Sequence, residues 1–224
     1  MFSLQLKTIT FVLYFFICKG ERATVRPANV SVTTDATPMV GFSAVPLATC
    51  TASRSQPAAQ VSWHLGTLID SVKVLTNAVK HLDGTYTVTS SLIGVPTVEM
   101  NQHNVQCVVR HSTLKEDLEM NHKIVVHYPP QLVTVSPLEN FSSVHGYQCE
   151  ADANPAASFS WHSRMHQAIL DDSIKEEGNR LYFLIRTPDL SGLYICNASN
   201  KYGAGFGSLY WDIEDNMGDI HSEL

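Results

Sequence analysis

Four cysteines and two tryptophans constrain this chain more than any other feature. Trp63 stands 13 residues after Cys50, and Cys107 stands 57 after it; Trp161 stands 12 residues after Cys149, and Cys196 stands 47 after it. A fifth cysteine, Cys18, lies in the opening segment MFSLQLKTITFVLYFFICKG. There Lys7 precedes an apolar run from Ile9 to Ile17, broken only by Thr10, and small Gly20 precedes Glu21. Residues 1–20 read as a secretory signal peptide, with Cys18 and Gly20 at the -3 and -1 positions of the cleavage site. An apolar run this short cannot cross roughly 30 Å of hydrocarbon as a helix. Cleavage would leave an even set of cysteines in an oxidising compartment, where disulfides are their expected fate and three connectivities are open.

The tryptophans select one connectivity. Cysteine, then tryptophan at 12 to 14, then a second cysteine within about 100 residues is the immunoglobulin-sandwich pattern, in which strands B and F face each other from opposite sheets. The expected bridges are therefore Cys50–Cys107 and Cys149–Cys196, with Trp63 and Trp161 as core residues packed on the sulfurs. Period-two alternation supports strands: Leu181, Phe183 and Ile185 share one face, as do Tyr194, Cys196 and Ala198, and as do Val105, Cys107 and Val109. These faces are expected to point inward. Tyr86, Val88, Ser90 and Leu92 alternate with Thr87, Thr89 and Ser91 as a half-buried E strand would. No segment has a helical period over 11 or more residues. The expected fold is all-β: two tandem immunoglobulin-like β-sandwiches, the first constant-type over 25–127 and the second I/C2-type over 128–213, with a polar tail at 214–224. In the second unit Asp189, Ser191, Gly192 and Tyr194 lead into Cys196, the pattern of a tyrosine corner whose hydroxyl pins the E–F turn. Val105 stands at the matching position of the first unit, so that corner is missing there. Pro129 and Pro130 in HYPPQ stiffen the boundary between the two.

Composition narrows the function. Only 16% of the residues are charged, and 15 Lys and Arg face 21 Asp and Glu, for a net charge of -6. Without a basic footprint, nucleic acid is not an expected partner. His103, His111, His122 and His127 lie near one another, but none has Cys or carboxylate partners at zinc-site spacing, and exposed loop and strand-edge positions are expected for them. The Cys candidates are committed to bridges, and no nucleophile elbow, phosphate loop or His-Glu-x-x-His occurs. Asp171, Asp172, Glu176 and Glu177 are expected in a solvated polar loop rather than a calcium site. The Gly203–Gly207 run follows Asn200-Lys201-Tyr202 and reads as an F–G hairpin entering the last strand. The expectation is no catalysis, no cofactor, no metal and no small-molecule substrate. Three Asn-x-Ser sequons, at Asn29, Asn140 and Asn197, become glycosylation sites on secretion. Asn197 follows inward Cys196 and so faces outward.

Two stretches, ATCTAS…PAAQVSW…VQCVVRH…VHYPP and CEADANP…SGLYICNASNKYG, resemble the second and third ectodomain repeats of the nectin and poliovirus-receptor family of adhesion proteins. The likeness runs from about Pro46 to Trp211. It implies an extracellular adhesion or recognition protein that binds other cell-surface immunoglobulin-superfamily proteins, homophilically or heterophilically. Such ectodomains begin with a variable-type domain that makes the contacts between cells. Here the signal peptide runs almost directly into the second-domain-like repeat, and no membrane span follows, so the product as written is expected to be secreted, or at the cell surface if it is a truncated receptor. A soluble decoy and a non-binding spacer are the alternatives that this departure raises.

Overall fold

The computed structural model describes residues 23–138, 145–163 and 173–212. The signal-peptide segment, Asn140, Asp171, Asp172 and the polar tail lie outside them.

The first sandwich is built from β1 (Asn29–Thr33), β2 (Val45–Ser55), β3 (Gln60–His64), β4 (Val72–Lys80), β5 (Tyr86–Gly94), β6 (Asn104–Arg110) and β7 (Leu118–Lys123). One sheet runs β1-β2-β5-β4 and the other β3-β6-β7, all pairs antiparallel. In immunoglobulin lettering these are ABED and CFG. The second sandwich repeats the order with β8 (Tyr128–Pro137), β9 (His145–Asn154), β10 (Ser158–Ser163), β11 (Ile174–Glu177), β12 (Arg180–Phe183), β13 (Gly192–Asn200) and β14 (Gly203–Trp211). Its sheets run β11-β12-β9-β8 and β10-β13-β14.

Cys50 is joined to Cys107, and Cys149 to Cys196, each bridge linking the two sheets of its sandwich. The surroundings of the bridges differ. The first sits in a cluster of small side chains, Ala52, Ala59 and Val109, separate from the larger cluster around Leu47, Leu92, Val105, Ile124 and Val126. Trp63 is half-buried and touches both clusters; its indole N–H donates to the Ser90 hydroxyl at 3.1 Å, which explains a serine on the inward face of β5. The second bridge lies among aromatics. Trp161, Phe183, Tyr194 and Trp211 are all buried with it, and Phe183 stacks on Trp211 at 4.1 Å between centroids. Sequence reasoning singled out Trp161 and passed over Trp211, although Trp211 closes a strand on the alternate positions Gly207 and Leu209.

The Tyr194 hydroxyl donates to the Leu190 carbonyl at 2.8 Å, across a single 3₁₀ turn that holds Asp189. In the first sandwich Val105 fills the corresponding place and is buried. The turn before it is held instead by backbone bonds, Gln102 N–H to Ile124 C=O at 2.8 Å and His103 N–H to Met100 C=O at 3.2 Å.

Three expectations need correction. Ile185 does not share the core face of Leu181 and Phe183: β12 ends at Phe183, the alternation stops there, and Ile185 is 50% exposed. Glu176 and Glu177 are not in a loop; they belong to edge strand β11, and Glu176 accepts the Trp161 backbone N–H at 3.1 Å. The histidines His103, His111, His122 and His127 are half-buried, not exposed, because each bonds to a separate element. His103 reaches the Leu65 carbonyl, His111 the Pro57 carbonyl and His122 the Thr34 hydroxyl. The glycine run forms the first half of β14, with Lys201-Tyr202 as the two-residue turn before it. Its lack of side chains lets β8 lie close: a Cβ on Gly205 would sit 2.7 Å from Val133 Cγ2.

Candidate protein-binding site and the junction between the sandwiches

Strand β4 leaves the core early. Val72 is buried, and every residue from Lys73 to Lys80 is exposed. Among the described strands β4 pairs with β5 alone, so its other edge presents unpaired backbone groups. Val74, Leu75 and Val79 are exposed along it, Leu75 at 61%. The hairpin that joins β4 to β5 extends this apolar edge, since Leu82 at its tip is 110% exposed. The tip is held in place. Asp83 accepts the Thr85 hydroxyl at 2.6 Å, the Thr85 N–H at 2.9 Å and Arg54 at 2.8 Å, and these bonds, Thr85 first, hold its carboxyl at about 2. Gly84 takes the positive φ that the tight turn requires. Lys73 and Lys80 flank the apolar residues, and Lys80 lies 5.7 Å from the Tyr86 ring centroid. Flanking lysines discourage indiscriminate edge pairing.

The junction is short and well bonded. Ile124 and Val126 belong to the first core, and Tyr128 opens β8 of the second sandwich. Asn101 is the hub: its side-chain carbonyl accepts Val126 N–H at 3.1 Å and the Asn154 amide at 3.1 Å, and its own amide donates to the Tyr128 hydroxyl at 3.4 Å. Asn154 also donates to the Val126 carbonyl at 2.8 Å, and the Tyr128 hydroxyl donates to Asp152 at 2.8 Å. His127 pairs with Met39 through backbone bonds to Pro38 and Val40, and its Nδ1 lies 2.7 Å from the Tyr202 hydroxyl. Asn200 donates to the carbonyls of Tyr128 and Pro155, both at 2.9 Å. Beside the junction, Pro38, Met39, Phe42, Val45, Pro46 and Tyr202 help line an open groove of about 480 Å³.

These contacts involve segments already conspicuous in the sequence: HYPP, DANP and NKYG. They converge with Asn101, which carried no sequence signal of its own, because its partners lie far from it along the chain.

Three histidines, of which His127 lies at the junction, predict a pH dependence. Burial lowers the pKa of His122; burial and then Lys201 lower that of His127; burial and then Arg186 lower that of His145. Such groups favour the neutral ring in the folded state. Their stability is therefore complete above the unfolded value of about 6.5 and falls as pH drops below it. The thermal midpoint is expected to be level from about pH 8 to 7 and to decline from about 6.5 to 5 by calorimetry. A midpoint that rises over the lower interval would contradict the assignment. Asp83 acts in a separate window, its contribution fading only below its unfolded value of 3.8.

Of the sequons, Asn29 is exposed at the start of edge strand β1, and Asn197 lies in the middle of β13. Among the described residues no cluster of His, Cys, Asp and Glu could hold a metal ion, and no helix is long and apolar enough to cross a membrane.

Residues 26–117 match the CD80-like C2-set immunoglobulin domain family. The chain is 33% identical over 162 residues to Nectin-4 of Xenopus tropicalis, covering 70% of this chain and 29% of that protein. It is 29% identical over 172 residues to Cell adhesion molecule 3 of Xenopus laevis, covering 74% of this chain and 43% of that protein. Nectin 1b of Danio rerio is 26% identical over 175 residues, which cover 73% of this chain and 30% of that protein. The chain thus spans less than half the length of these relatives. The crystal structure of the mouse nectin-like molecule 4 ectodomain shares its fold, with a TM-score of 0.70 at 18% identity, over 84% of this chain and 65% of that one. The first sandwich matches an immunoglobulin domain family, and the chain is similar over most of its length to nectins and cell adhesion molecules.

Proposed function

We propose that this chain is a nectin-like recognition protein of the extracellular space, reaching it through the secretory pathway and acting by binding the ectodomains of other cell-surface immunoglobulin-superfamily proteins. The observation that carries this reading is the open edge of β4. Leu75 and Val79 form an exposed apolar line on one face of β4, with Val74 on the other face and Leu82 at the tip of the fixed hairpin, next to unpaired backbone groups. An edge of this kind adds a strand from a partner, main-chain bonds supplying affinity and side chains supplying choice. Lys73 and Lys80 select a partner strand with acidic residues at matching positions. An immunoglobulin-type sheet edge is such a strand, and the relatives named above are proteins of the same superfamily.

Leu75→Arg places a charge at the centre of this line, on a side chain that contributes to neither core cluster. Binding to an immobilised nectin-type or cell-adhesion-molecule-type ectodomain is expected to weaken at least about tenfold, the scale of losing one central anchor. The unfolding midpoint read by Trp63 fluorescence should stay unchanged. Undiminished binding by a folded Leu75→Arg protein would remove β4 from the interface.

A further inference from the structure

The outer face of the β10-β13-β14 sheet carries an apolar patch with a sequon at its centre. Cys196 and Ala198 are buried, so Asn197 shares the outer face with Leu193, Ile195 and Ser199. Its direct neighbour across β13 and β14 is Phe206, and its neighbour across β10 is Ser160. Directly opposed side chains of this kind have Cβ atoms about 5 Å apart. Phe206 is 68% exposed, and Tyr210, opposite Leu193, is 66% exposed. On the side of Asn197 toward the turn the positions are small, namely Ser158, Ser199 and Ala204, with Ser160 and Ser208 also on this face, while Ile195 and His162 bound it on the other side, which leaves a shallow floor beside the Phe206 ring. Among the described residues the Asn197 side-chain oxygen is buried without a hydrogen-bond partner.

We propose that an N-linked glycan on Asn197 occupies this face, its first N-acetylglucosamine lying on the Phe206 ring. The attachment moves an oligosaccharide from a lipid-linked pyrophosphate donor. Asn197 Nδ2 displaces the pyrophosphate at the sugar C1, a C–N bond forms as the C–O bond breaks, and Nδ2 gives up one proton. The C–H-lined face of the sugar carries partial positive charge and meets the electron-rich face of the ring. The arrangement covers an apolar surface that would otherwise invite association. It also leaves the β4 edge of the first sandwich, on a different sheet, free for protein partners.

The inference rests on the secretory route proposed above, and the test separates the two. The full chain is expressed in cultured animal cells that make high-mannose glycans, and site occupancy is mapped by peptide mass spectrometry. An endoglycosidase then trims each glycan to one sugar. Asn197 is expected to be occupied, and Phe206→Ala is expected to raise the unfolding equilibrium constant of the one-sugar protein about fivefold, the scale of one stacked ring. In a Ser199→Ala background, which lacks the sequon, Phe206→Ala should have no such effect. If the Ser199→Ala chain is not recovered, nuclear Overhauser contacts between the first sugar and the Phe206 ring in the wild-type protein decide the matter. Occupied Asn29 with bare Asn197, equal Phe206→Ala effects in both backgrounds, or no sugar-to-ring contact overturns the inference. Asn29, Asn140 and Asn197 all bare overturn the secretory route as well.

Discussion

A Cys50→Ala/Cys107→Ala protein is expected to lose about 4 kcal/mol from its first sandwich, the chain-entropy value for a loop with a sequence separation of 57. That is a large share of the roughly 5 to 15 kcal/mol that holds a domain of this size folded. The surroundings sharpen the expectation. At this end of the sandwich the bridge is packed by the small buried side chains Ala52, Ala59 and Val109 and by the partly buried Val30, Val32, Val61, Trp63, Leu118 and Met120, a less completely buried surround than the aromatic cluster of the second sandwich. The first sandwich should therefore be unfolded at 37 °C. Removing Cys149 and Cys196 forfeits a similar entropic contribution, at a separation of 47, but leaves Trp161, Phe183, Tyr194 and Trp211 packed across the core. That sandwich should remain folded, with a lowered midpoint. Fluorescence discriminates the two, because Trp63 is the only tryptophan of the first sandwich and Trp161 and Trp211 belong to the second. Equal sensitivity of both sandwiches to loss of their bridges would show that the aromatic cluster contributes less than its burial implies.

Asn101→Ala is expected to destabilise the protein by about 1 to 3 kcal/mol and to uncouple its sandwiches, because one truncation strands several partners. The Val126 N–H loses its acceptor within the first core, the Asn154 amide loses one of two acceptors, and the Tyr128 hydroxyl loses a donor. Leaving a buried N–H without a partner costs more than the bond itself contributed. In calorimetry the wild-type protein should unfold with strongly overlapping transitions and the variant with two separated ones. Small-angle scattering should show a broader distribution of end-to-end distances for the variant. An Asn101→Ala protein with unchanged coupling would mean that His127, Tyr202 and Asn200 suffice to hold the junction.

The fold was legible because its strongest determinants are local and periodic. Spacing alone pairs Cys50 with Cys107 and Cys149 with Cys196, and alternation alone sends Val105, Cys107, Tyr194 and Ala198 inward. Alternation misled at Ile185 because it carries no mark of where a strand stops; Pro188, three residues on, was the available signal. Glu176 and Glu177 look like loop residues because an edge strand can be polar on both faces. The site was less legible. Val74, Leu75 and Val79 carried no signal of their own in the sequence, and only the pairing of β4 shows them exposed on a free edge. Asn101 was invisible too. Its importance lies in contacts with Val126, Tyr128 and Asn154, which only tertiary structure brings to one place.

The central claim is that this chain works by binding immunoglobulin-type ectodomains through the β4 edge. The most direct measurement passes the purified, secreted chain over a panel of immobilised nectin-type and cell-adhesion-molecule-type ectodomains. Wild-type protein is expected to give saturable binding to at least one of them, abolished when Lys73 and Lys80 are both changed to glutamate, since the charges that select the partner strand are then reversed. A flat response across the panel, or binding that survives the double reversal undiminished, would contradict the account.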